Sequence, residues 1–224
     1  AMPLNYDYMG PRLAPALFGV IGAGGVFLLM LELTGSIGAA LMLSPLYLSD
    51  TALLAQFRAA HLDSFQIAFA LAALLCLAHG LRKPGAGWVV GFGFGVVCAA
   101  LVRANAAMLA PQGLFLLWPP IRAGRSTDAF RRVVAGLGGG VLAIALTFTA
   151  FAWVSPRLPD PATEAGRKDI AYLAPGILAA GHVGGRDPAV IVALAKDYAR
   201  FMVSDHEGMA RSDANASHPW AWLL

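Results

Sequence analysis

The chain has 224 residues, 58% hydrophobic and only 13% charged, with a mean hydropathy of +0.65. Charged residues make up about a quarter of an ordinary globular chain, so a wetted globular surface is excluded, and so is disorder, which needs low hydrophobicity and high charge. Two cysteines, Cys76 and Cys98, both inside apolar runs, exclude a disulfide scaffold, and a net charge of +3 spread over short loops speaks against a nucleic-acid partner. What remains is an all-α integral membrane protein.

Six apolar stretches occur in order: Leu13 to Leu33, Ile37 to Leu48, Leu62 to Leu81, Trp88 to Val102, Ala106 to Trp118 and Val133 to Val154. A spanning helix needs about 20 apolar residues. The first, third and sixth stretches meet that length. The second, fourth and fifth are short, and are expected as tilted hairpin arms, re-entrant segments or helices whose polar ends line a cavity. Residues 1–12 carry neither a basic region nor an apolar core, so no signal peptide is expected there. The reading is therefore a transmembrane domain over residues 1–154 with about six helices, some of them short.

Loop charges set the expected orientation. Arg82 and Lys83 precede the fourth stretch, and Arg122, Arg125, Arg131 and Arg132 precede the sixth. Placing both loops in the cytoplasm puts both termini outside, in a bacterial inner membrane. The external segment, residues 155–224, is balanced at seven basic and eight acidic residues. Pro156, Pro159 and Pro161 mark an extended exit. Asp187 and Pro188 then open an amphipathic helix near 188–203, with Ile191, Leu194, Tyr198 and Met202 on one face.

Polar residues at membrane edges are functional candidates, because each costs several kcal/mol unless paired or hydrated. Arg12, the group Arg58, His61 and Asp63, and Arg103 all fall at the external ends of their helices on this topology. Arginine binds phosphate through a planar fork of donors, so a shared phosphate is one reading. The alternatives are a snorkelling Arg12 and a structural Arg58–Asp63 ion pair. Gly91, Gly93, Gly95 and Gly138 to Gly140 read as close helix contacts, and His79 as an interfacial residue. The adjacent Asp205, His206 and Glu207 point in different directions on a helix and make a poor metal site.

The order of these features resembles a known family. Gly10-Pro11-Arg12-Leu13-Ala14-Pro15-Ala16-Leu17-Phe18-Gly19 is similar to the start of the second helix in GT-C membrane glycosyltransferases, nearest the dolichyl-phosphate-mannose protein O-mannosyltransferases. Phe57-Arg58-Ala59-Ala60-His61-Leu62-Asp63-Ser64 resembles the family's Ser-Arg…Leu-Asp-Ser segment. Gly91-Phe92-Gly93-Phe94-Gly95 with Arg103-Ala104-Asn105 is similar to its Gly-rich helix, and His218-Pro219-Trp220-Ala221-Trp222 to its His-Pro…Trp-x-Trp segment in shortened form.

The resemblance implies a polyprenyl-phosphate-linked sugar as donor, no nucleotide sugar, and transfer at the external face; no cofactor is expected. It assigns Arg12, Arg58 and Arg103 to the lipid phosphate, with His61, Asp63 and Asn105 in support. His218 and Trp222 fall on the acceptor or sugar side. The family's acidic first loop has no counterpart before Arg12, where Asp7 is the sole acid. The expected chain is thus part of a longer or split enzyme, with its base elsewhere. The alternative is a degenerate, non-catalytic subunit packing in a larger membrane complex. A small transporter would bring repeat symmetry, and none is seen.

Overall fold

The computed structural model describes residues 9–49, 63–83 and 85–154, together with Val192 and Lys196. Every regular element among them is helical: α1 (Met9–Thr34), α2 (Ile37–Leu43), α3 (Pro45–Ser49), α4 (Asp63–Arg82), α5 (Ala86–Val102), a 3₁₀ segment (Ala104–Gly113), α6 (Leu114–Arg122) and α7 (Ser126–Val154). Three of these are long and apolar enough to cross a membrane, over Leu13–Thr34, Asp63–Arg82 and Ser126–Ala150; Ile37–Tyr47 and Ala86–Val102 are shorter apolar helical stretches. The protein is an all-α membrane protein. The chain divides into two compact units, Ala1–Ala145 and Leu146–Leu224. Val192 and Lys196, in the second unit, are both helical.

The second apolar stretch is two helices. Ser36 opens α2 by accepting a hydrogen bond from the Ala39 amide, a side-chain cap for an otherwise orphaned donor. The stretch breaks at Ser44 and Pro45, because proline supplies no N–H to continue the ladder. The fifth stretch differs more. Ten residues wind as a 3₁₀ helix before α6 begins. The 3₁₀ form rises about 2.0 Å per residue against about 1.5 Å in an α-helix, so Ala106 to Trp118 reach roughly 23 Å where an unbroken α-helix would reach about 20 Å.

Helix direction follows from the contacts. The Phe18 ring of α1 packs at a tilt against that of Phe65 of α4, centroids 4.5 Å apart, and Glu32 meets His79. Residues rise together along both helices, so α1 and α4 are parallel. Cys76 lies against Gly91, Ala73 against Gly95, and Asp63 against Arg103, so α4 and α5 are antiparallel. The core joins Ala73 and Leu77 of α4, Val89, Phe92 and Val96 of α5, and Leu116 of α6. Gly95 is needed at its crossing, since a Cβ there would come within 3.0 Å of the Ala73 main-chain nitrogen. Gly93 and Gly139 likewise meet the facing backbone, at Gly136 and Val90, whereas Gly138 faces open space. The outward side of α1, including Leu13, Leu17, Val20 and Leu28, is exposed, as a lipid-facing surface must be.

Candidate functional site

Asp63 begins α4, where its carboxylate also complements the positive helix terminus. Arg103 ends α5 in an extended conformation (φ −147°, ψ 128°), which turns the chain out of the helix. The antiparallel crossing brings the two together: Arg103 Nε lies 2.9 Å from Asp63 Oδ1. The Asp63 side chain is 18% exposed and that of Arg103 is 48% exposed. One turn further along α4, Gln66 donates from Nε2 to Asn105 Oδ1 at 2.7 Å. Two polar bridges therefore tie the start of α4 to the end of α5 and the start of the 3₁₀ segment.

Arg12 lies in the first turn of α1, about 9 Å along the axis before Phe18. Because α1 runs parallel to α4, the backbone of Arg12 falls at the same end of the bundle as Asp63 and Arg103. Of the sequence-derived site residues, Asp63 and Arg103 meet directly, and Asn105 meets Gln66 one turn further along α4. Arg58, His61, His218 and Trp222 lie outside the described residues.

Gln66 escaped the sequence reading. Its signal was present: a polar residue three positions after Asp63, and so on the same helix face, in an otherwise apolar span. A second polar cluster was also missed. At the opposite end of α1 and α4, Glu32 Oε2 is 3.1 Å from His79 Nδ1, and Glu32 Oε1 is 3.5 Å from Arg82 Nε. Arg82 further donates to the Leu33 carbonyl at 3.2 Å, and the His79 ring packs on Trp88 at 4.2 Å. His79 is thus a bridge between helices rather than a simple interfacial residue. Among the described residues no group of three or more metal-ligating side chains gathers.

Residues 2–123, more than half of the chain, match the family model described as dolichyl-phosphate-mannose-protein mannosyltransferase. Neither the curated proteins nor the solved structures contain a match to the chain.

Proposed function

The chain belongs to the dolichyl-phosphate-mannose-protein mannosyltransferase family, and from that premise we propose that it forms part of a membrane glycosyltransferase that takes a sugar from a polyprenyl-phosphate donor at the external face. The observation that carries this reading is the Arg103–Asp63 pair, at the same bundle end as the backbone of Arg12. In glycosyl transfer from a lipid phosphate, the bond between the sugar's anomeric carbon and the phosphate oxygen breaks, and negative charge grows on the phosphate. A fixed guanidinium beside that oxygen stabilises the transition state. Asp63 engages Arg103 through Nε and so sets the plane of the fork. The terminal nitrogens are left to face an anion, on a side chain that is half exposed.

Arg12 and Arg58 would share the phosphate, with His61 and Asn105 in support and His218 and Trp222 toward the acceptor or sugar. The proton of the acceptor hydroxyl needs a base, and no described residue is assigned to that role. The competing reading, a non-catalytic membrane subunit, takes Asp63–Arg103 as a structural clasp alone.

Binding of a polyprenyl phosphate to the full chain in phosphatidylcholine nanodiscs separates the two. Arg103→Ala is expected to weaken binding by about 1.5 to 3 kcal/mol, roughly tenfold to 150-fold. Arg103→Lys recovers part of this, since a point charge lacks the fork. Unchanged binding in Arg103→Ala, accompanied by lower stability, would favour the structural clasp.

A further inference from the structure

A cavity of about 410 Å³ lies between α5, the 3₁₀ segment, α6 and α7. Its lining is apolar, with Phe92, Val96, Leu117, Leu137 and Val141 among its walls, and its one charged lining residue is Arg132. The lining on α7 runs from Arg132 to Ile144, three turns or about 18 Å. Leu137 and Val141 are 67% and 65% exposed although they line it, so the cavity is a groove open at the side. Within a membrane-spanning segment such an opening faces hydrocarbon, and an apolar groove does not hold water.

A second hollow, of about 190 Å³, is bordered by Gly85, Ala86, Asp128, Arg131 and Arg132. Arg132 lines both, so the long apolar groove and the small basic hollow adjoin at this one side chain. The basic chamber lies by the start of α5, at the bundle end opposite Arg103. The connection from Pro119 to Arg132 carries four arginines and one acid, Asp128, which lies 3.8 Å from Arg125. Arg131 is exposed, and Arg132 spends Nη1 on the Leu116 carbonyl. The chamber keeps positive charge that no described acid takes up.

We propose that this groove and chamber together bind an anionic phospholipid. One acyl chain lies along α5 and α7, and the phosphate sits against Arg131 and Arg132. The groove supplies the apolar burial and the arginines supply charge complementarity in the leaflet away from Arg103. The site is separate from the proposed donor site and stands or falls without it.

The test uses the full chain in detergent, with retained lipid read by native mass spectrometry and by thermal unfolding. The probes are palmitoyl-oleoyl phosphatidylglycerol, the matching phosphatidylcholine, inorganic phosphate and a polyprenyl phosphate. Phosphatidylglycerol is expected to be retained at least fivefold over phosphatidylcholine and to raise the unfolding temperature, with phosphate alone inert. Arg131→Gln spares the Arg132–Leu116 bond and should abolish the preference. Leu137→Trp fills the groove and should lose both lipids, and Val141→Trp serves if that variant does not fold. Equal retention of the two phospholipids, or unaltered retention in Arg131→Gln, would overturn the proposal. Stabilisation by phosphate alone would overturn it in favour of a free-anion site. Polyprenyl phosphate binding that is lost in Arg131→Gln but kept in Arg103→Ala would assign the groove to the donor lipid and also overturn it.

Discussion

Arg132 donates from Nη1 to the main-chain carbonyl of Leu116 at 2.6 Å, and that carbonyl is the one Pro120 leaves without a helical donor. In an α-helix the carbonyl of residue 116 accepts from the amide of residue 120, and proline has no N–H. Leu116 is 1% exposed, so water is a poor substitute. A side chain sixteen residues away closes the gap. This offsets the loss at Pro120 inside α6, and it ties α6 to the first turns of α7.

Arg132→Met is accordingly expected to destabilise the protein by about 1 to 3 kcal/mol, the cost of a buried unsatisfied acceptor. In a Pro120→Ala background the helical bond returns, and the same substitution should cost less. Reversible denaturation of the two single variants and the double variant measures this coupling. Additive effects would show that the bond contributes nothing of its own.

The α4–α5 crossing and the outer face of α7 supply a contrasting pair of glycines. Gly95→Leu pushes a side chain into the Ala73 backbone and is expected to lower the unfolding temperature sharply or to prevent folding. Gly138→Ala meets nothing within 4 Å and should be neutral or slightly stabilising, because alanine is the better helix former. Equal sensitivity at the two positions would contradict the packing.

Glu32 holds two partners, His79 and Arg82, with a side chain only 19% exposed, whereas Arg82, at 52%, reaches water. Removing the shared acid should therefore cost more than removing Arg82. Glu32→Ala is expected to destabilise by about 1 to 3 kcal/mol, and Arg82→Ala by about 0.2 to 1 kcal/mol, the range for exposed pairs. Thermal unfolding of both variants under one set of conditions decides the order.

The contact pattern also makes a topological prediction. Ala104 stands at the bundle end of Arg103, and Gly124 stands in the arginine-rich turn at the other end. With Cys76 and Cys98 replaced by serine, single cysteines at positions 104 and 124 should react with an impermeant thiol reagent from opposite sides of the membrane. Arg122, Arg125, Arg131 and Arg132 make the cytoplasm the expected location of position 124. Labelling of both from one side would refute a transmembrane placement of α5.

The sequence by itself determined the class of protein, the three long spans and the likeness of ordered motifs from Arg12 to Asn105. Each of these is local: apolar runs of membrane length, charges at their ends, and motifs read residue by residue. It also marked Asp63 and Arg103 as residues that an apolar setting makes expensive, and the likeness of motifs added Asn105. Partnership was a matter for tertiary structure. Asp63 has Arg103 as its partner because α4 and α5 run antiparallel, which places residues forty positions apart side by side. Glu32 has His79 because α1 and α4 run parallel. Gln66 stood out as a polar residue in an apolar span, but only the same crossing shows that Asn105, 2.7 Å away, is its partner. The 3₁₀ winding of residues 104 to 113 was equally hidden, since apolar periodicity does not report rise per residue. Composition tells a chain which segments must leave water, but the direction and crossing of those segments decide which polar groups meet once they have left it.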